Sequence, residues 1–163
     1  MAIPVYLWLY DEEGKLIKGS VDVTEREGSI EVTGMQHNLF IPTDDTTGAV
    51  TSARQHEAYT FEKTIDSASP QLYKALTTGE TLAKAVFSFY RINYNGQEEE
   101  YFVTKLECVK VCHVVTVMFD TKDPDFERHG HVEHVGLRYE QIAWHYTDGN
   151  IKHTDSLEEQ KTA

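Results

Sequence analysis

Basic charge is what this sequence lacks most. Fifteen Lys and Arg stand against 27 Asp and Glu, a formal net charge of −12 at pH 7. Nucleic acids and anionic membranes are held through basic patches, so neither is expected as a direct partner. The acidic excess reads as a solvated surface that resists aggregation. Long apolar runs are missing too: no stretch approaches the ~18 consecutive apolar residues of a membrane span. No basic segment precedes the apolar N-terminal residues, so no secretory signal is visible. Cysteine is scarce, with only Cys108 and Cys112. Both fall in an expected strand, which sets their Cα atoms about 13 Å apart, beyond the ~7 Å reach of a disulfide. They are expected as buried thiols of a protein folded in a reducing compartment.

Signatures of catalysis are also absent. There is no Gly-x-Ser-x-Gly elbow, no phosphate-cradling Gly-rich loop and no Cys–His pair in a catalytic context. Three imidazoles fall within six residues, at His129, His131 and His134, and histidine clusters can ligate zinc. On a strand, however, His129 and His131 share a face while His134 points away, so no metal site is assigned. Glu98-Glu99-Glu100 alternates faces in the same way and makes no acid–base pair; it reads as a solvated strand start. No cofactor and no enzyme activity are expected.

What is present is β-structure. Ile3 to Tyr10 alternates Val5, Leu7 and Leu9 with Tyr6, Trp8 and Tyr10, a strand covered on both sides. Leu16 to Val23 is a second extended segment. Ser29 to Ile41 is a long strand interrupted at Gly34, and Gln55 to Ile65 is another. Lys84 to Ile92 and Glu99 to Val117 flank Asn93-Tyr94-Asn95-Gly96, a hairpin signal that suits the primed turns. After a long loop from Asp120 to His131, Val132 to Tyr146 is a strand whose parity slips between Tyr139 and Ile142. Asp148-Gly149 turns it into a last strand, Ile151 to Asp155, and the polar tail from Leu157 is expected to fray. Trp8 and Trp144 are expected in the core.

One helix is expected. Ser69 is a good N-cap, Pro70 suits the first helical position, and Gly79 supplies a left-handed end. Two turns are too short to stand alone, so Leu72 and Leu76, one turn apart, are expected to anchor it to the strands. The least structured stretch is Pro42 to Arg54, which includes Pro42, Thr43, Asp44, Asp45, Thr46, Thr47 and Gly48. Loops this long are uncommon in compact domains and are often functional. The fold class is therefore mainly β, a two-sheet barrel or sandwich of about eight strands with one short helix, in a single domain over residues 1–163.

Five stretches resemble the haemolysin co-regulated protein (Hcp) family, in order and over nearly the whole chain. They are Met1–Leu9, Gly28–Val32, Phe61–Leu72, Glu100–Leu106 and Val135–Trp144. The block Phe61-Glu62-Lys63-Thr64-Ile65-Asp66-Ser67-Ala68-Ser69-Pro70-Gln71-Leu72 is the most specific. The resemblance implies a bacterial type VI secretion tube subunit with a two-sheet barrel and one helix. It further implies a homohexameric ring, rings stacked into a hollow tube like that of a phage tail, a contractile sheath around it, a spike protein at its tip and small effector proteins in its lumen. Such a protein is assembled in the bacterial cytoplasm and leaves without a signal peptide. The stretch from Pro42 to Gly48 is the expected self-assembly loop, since a closed ring needs a heterologous contact from copy to copy. Two other readings compete: a monomeric barrel that binds a small ligand in its interior, and a metal-dependent enzyme built on the histidine cluster.

Overall fold

A computed structural model describes residues 2–158. Its elements are β1 (Val5–Tyr10), β2 (Leu16–Ile17), β3 (Ile30–Val32), β4 (Gly34–Gln36), β5 (Leu39–Phe40), β6 (Gln55–His56), β7 (Tyr59–Thr64), α1 (Ser69–Thr78), β8 (Thr81–Ile92), β9 (Glu98–Val117), β10 (Val132–Arg138), β11 (Gln141–Tyr146) and β12 (Ile151–Ser156). The protein is mainly β with one α-helix among the described residues, as expected.

Strand β9 organises the fold. It runs for 20 residues and bends at Cys108, which sits in the left-handed region at φ 52°. Before the bend, β9 pairs with β8 on one side and β11 on the other; beyond it, from Lys110, it pairs with β10. Two sheets result. The first runs β2-β1-β8-β9-β11-β12, and the second runs β9-β10-β7-β4. Residues 30–36 close them into a barrel. There β3 pairs with β1, through Val5 opposite Val32, and β4 pairs with β7, through Gly34 opposite Glu62. Only Thr33 separates β3 from β4, and its N–H donates to the Glu62 carbonyl at 2.9 Å. The expected long strand over Ser29–Ile41 is therefore three short ones, because the chain changes partner there.

Period-two alternation decides what is inside. Leu7 and Leu9, Ala85 and Phe87, Leu106, Val135 and Leu137, and Ile142 are fully buried, joined by Tyr59 and Phe61. Trp144 packs half-buried against this core, while Trp8 lies half-buried on the opposite side of its sheet.

Several local expectations change. The segment from Leu16 to Val23 is strand only at Leu16–Ile17; the rest is a loop in which Arg26 lies over the rings of Tyr90 (3.8 Å) and Tyr6 (4.8 Å) and pairs with Glu98 at 2.6 Å. Glu98 and Glu99 are thus ion-paired, the latter to Arg91 at 2.9 Å. The hairpin at Asn93 does not use a primed turn, because only Gly96 there has positive φ (74°) and primed type I needs two such residues. Val132 to Tyr146 is two strands, since Tyr139 and Glu140 turn the chain from the second sheet to the first. Both cysteines are exposed, not buried. Their positions on β9 point outward, at the bend and at the bulge opposite Gly136 and Leu137. Leu157 packs against the core with its N–H on the Glu140 carbonyl at 2.9 Å; the remainder of the expected tail, from 159 on, lies outside the described residues.

The helix ends as expected, with Gly79 left-handed at φ 69°. Its start differs. Ala68 occupies the cap position without a side-chain cap, and the Asp66 carboxylate takes the Ala68 N–H at 3.0 Å. The Ser69 hydroxyl faces the barrel instead. There Lys63, fully buried on β7, places its ammonium 2.7 Å from Glu133, 2.9 Å from Asp66 and 3.0 Å from Ser69. Ser69 also donates to Glu133 at 2.9 Å. Leu72 and Ala75 are the helix's buried apolar contacts; Leu76 is half-buried at the margin.

Candidate functional site

The expected self-assembly loop, Pro42 to Gly48, is the tip of a longer element. Residues 38–57 form a two-stranded arm with its own ladder. Leu39 and Phe40 pair with His56 and Gln55, and Thr43 bridges to Val50. The N–H groups of Glu57 and Thr51 donate to the carbonyls of Asn38 (3.1 Å) and Pro42 (3.0 Å). At the tip, Asp44 folds the chain back. Its N–H donates to the Ala49 carbonyl at 2.8 Å, and its carboxylate accepts the N–H groups of Thr46 (2.8 Å) and Thr47 (2.9 Å). Those two bonds, Thr47's first, hold the Asp44 carboxyl below the usual carboxylate range. Gly48, at φ 71°, completes the turn where a side chain would be strained.

A ladder of this length without a barrel strand beside it leaves apolar groups in water. Leu39, Phe40, Ile41 and Val50 are 38–55% exposed.

The arm's base is tied to the barrel by a hydrogen-bond chain. Asp155 on β12 accepts Arg54 through Nε (2.6 Å) and Nη2 (2.7 Å), and accepts His56 Nε2 at 2.8 Å. The Arg54 pair, first among the causes, holds the Asp155 carboxyl below its ordinary value. Since Asp155 only accepts, His56 Nε2 carries a proton, and its Nδ1 lies 2.7 Å from the Tyr139 hydroxyl. His37 Nε2 lies 2.8 Å from the same hydroxyl. Burial, then the neighbouring His56, lowers the pKa of His37, while burial raises that of Tyr139. Both strands of the arm, at His37 and at Arg54–His56, are held to the barrel by this chain.

The three clustered histidines are not brought together. His129 packs on the stacked rings of Phe119 and Phe126, at 5.1 and 5.6 Å. The His131 carbonyl accepts the Ile65 N–H at 3.1 Å, and His134 faces Glu62 at 3.8 Å. Among the described residues no group of three His, Cys, Asp or Glu is placed to hold a metal ion, and none of the helices is long and apolar enough to cross a membrane.

Sequence reasoning missed Lys63, Glu133, Arg54, His56, Tyr139 and Asp155. Lys63 carried a signal, since it shares the inward parity of Tyr59 and Phe61. Arg54 and Asp155 carried none, because their pairing spans 101 residues.

The fold is thus a closed two-sheet barrel with an exposed two-stranded arm tied to it at its base. Comparison with known proteins gives the family. The family model described as "Type VI secretion system effector, Hcp" matches residues 6–146. The "Major exported protein" of Pseudomonas aeruginosa is 33% identical over 153 residues, covering 88% of this chain and 89% of that one. Among solved structures, the Hcp1 protein of E. coli EAEC 042 is 57% identical with a TM-score of 0.86, covering 95% of this chain and 99% of that one. The secreted protein Hcp3 of P. aeruginosa is 26% identical with a TM-score of 0.77, covering 95% and 98%. The chain belongs to the Hcp family of the type VI secretion system, and it is a subunit of the secretion tube.

Proposed function

We propose that six copies close into a ring, and that rings stack into a hollow tube assembled in the cytoplasm, expelled by a contractile sheath, tipped by a spike protein and able to carry effector proteins in its lumen. The subunit's work in this reading is mechanical, not catalytic. The observation that supports it is the arm: an element with its own ladder, an exposed apolar set and a braced base has little to do in an isolated barrel. Open strand edges add to it. Among the described residues, β12 pairs only with β11 and β4 only with β7, and exposed edges of this kind are hazards unless a partner covers them. The barrel interior is occupied by its own side chains, such as Leu7, Tyr59, Phe87 and the Lys63 cluster, which suits a rigid building block better than a ligand cage.

Sedimentation of the purified chain tests the ring. The expected species has six times the mass of the 18.6 kDa chain, with hollow rings in negative-stain images. A single 18.6 kDa species at every concentration overturns the reading.

A further inference from the structure

Two imidazoles share one hydroxyl at the base of the arm, and the sharing limits how many protons the brace can hold. His56 Nδ1 lies 2.7 Å and His37 Nε2 lies 2.8 Å from the Tyr139 oxygen. A phenol has one proton to donate and accepts through its oxygen, and an imidazole nitrogen donates or accepts according to its protonation. Asp155 fixes one end of the chain, since its carboxylate accepts His56 Nε2–H at 2.8 Å beside the Arg54 guanidinium. With both rings neutral, every contact is satisfied: Tyr139 donates to His56 Nδ1 and accepts His37 Nε2–H. With one proton added from solvent, every contact is satisfied again. If it enters at His37, it takes the Nδ1 of that ring and nothing else moves. If it enters at His56, Nδ1 becomes a donor, and the phenol proton turns to His37 Nε2, whose own proton is then carried on Nδ1. With two protons added, both rings donate to the same oxygen, and the phenol proton has no acceptor among these groups.

The charges around the hydroxyl do not compensate the second proton. The titratable and charged groups here are His37 on one side of the arm; Arg54, His56 and Glu57 on the other; Tyr59 on β7; Arg138 at the end of β10; and Asp155 on β12. The two guanidinium groups and the two carboxylates balance before any proton enters, so each added proton is an excess charge. Water screens it poorly. The His56 side chain is 2% exposed, and the buried Tyr59 ring stacks against His37 at 5.0 Å.

We propose that this brace is a two-proton acid switch, which absorbs one proton without loosening and frees the arm from the barrel when the second enters. The device is internal to one subunit and goes beyond the tube reading above: it makes release of the arm a threshold event, not a graded one. His37 is the ring that takes its proton last, in keeping with the burial and the neighbouring His56 that hold its pKa below the ordinary value.

The test uses the full chain, labelled at histidine and titrated from about pH 8 to about pH 4. Ring signals of His37 and His56 are followed by NMR. At each pH, exchange is measured at the Glu57 amide, which closes the arm on the Asn38 carbonyl at 3.1 Å. The pair is expected to titrate in two steps more than about one pH unit apart. Glu57 protection is expected to hold through the first step and to fall at least about tenfold at the second. His37→Gln keeps a hydrogen-bonding amide beside Tyr139 and takes no proton. It is expected to keep the Glu57 amide protected at the pH where the unmodified chain opens, an outcome that a merely structural His37 does not give. Protection lost at the first step, protection that survives both steps, two rings that titrate together, or a His37→Gln chain that opens at the same pH or a higher one overturns the proposal.

Discussion

Replacing Lys63 by Met removes a buried cation and keeps most of its volume. The ammonium has three protons and three acceptors, at 2.7 Å (Glu133), 2.9 Å (Asp66) and 3.0 Å (Ser69), so its hydrogen-bonding capacity is saturated. It is fully buried, and Glu133 is 1% exposed. Once Lys63 is gone, Glu133 keeps only the Ser69 hydroxyl as a donor at 2.9 Å. Breaking a buried ion pair from one side costs about 3–5 kcal/mol, because the remaining charge is left uncompensated. Replacing both partners by apolar groups is near neutral or stabilising by about 1–4 kcal/mol. Ser69 still accepts the Asp66 N–H at 3.0 Å and Asp66 the Ala68 N–H at 3.0 Å, so most of the loss is expected to be recovered in Lys63→Met with Glu133→Leu. The assay is urea unfolding followed by the fluorescence of Trp8 and Trp144. With a slope of about 2 kcal/mol per M, the single variant is expected to lower the midpoint by roughly 1.5–2.5 M, and the double variant by far less. A single variant that loses under about 1 kcal/mol refutes the reasoning, since the site would then admit water. So does a double variant that loses the sum of the two singles, because the pair would then be a net source of stability.

Leu72→Ala, at a fully buried helix position, is expected to cost about 2–5 kcal/mol. Leu76→Ala, at the half-buried margin, is expected to cost about 1–2 kcal/mol; the reverse ranking in the same urea assay would show that the helix presents another face. Gly19→Ala places a Cβ 2.3 Å from the Ser29 carbonyl oxygen, a backbone atom with nowhere to go. It is expected to cost about 1–3 kcal/mol, whereas Gly14→Ala meets open space and pays only for its φ of 82°; equal Tm values for the two would count against that contact. Acid should loosen the arm's base in two steps. His37 has a folded pKa below its ordinary value, so its contribution is full above about pH 6.5 and is lost as pH falls through the lower folded value. Asp155 is likewise depressed, and its contribution, full above about pH 3.9, is lost as pH falls through its own folded value. Hydrogen-exchange protection of the Glu57 amide, which closes the arm on Asn38, reads both steps, and protection unchanged from pH 7 to 3 would contradict them.

How much of this was legible in the sequence follows the range of each interaction. Strand β1, the helix and its Gly79 end came through because their signals, alternation and a left-handed glycine, are local. The arm did not, because its ladder is only two strand pairs and one isolated bridge around a small, polar tip that carries no alternation, and its brace joins Arg54 to Asp155 across most of the chain. Nor did the bend in β9, where Cys108 holds a left-handed backbone that nothing in its residue type announces. The most specific block, Phe61 to Leu72, was legible only as a resemblance, and the structure supplies its physical cause. Phe61 and Leu72 enter the core, and between them Asp66 and Ser69 converge, with Glu133, on the Lys63 ammonium. A buried lysine needs carboxylates at hydrogen-bond distance, and a helix start buried beside it needs its own amide satisfied; Asp66 serves both, through Lys63 and the Ala68 N–H. The spacing Lys63, Asp66, Ser69 is therefore the spacing at which a strand end, a turn and a first helical residue meet one ammonium. Ser69, which alone reads as a cap, is committed to that cluster instead. Local capping rules misplaced it because the stronger claim on its hydroxyl comes from two buried charges on β7 and β10.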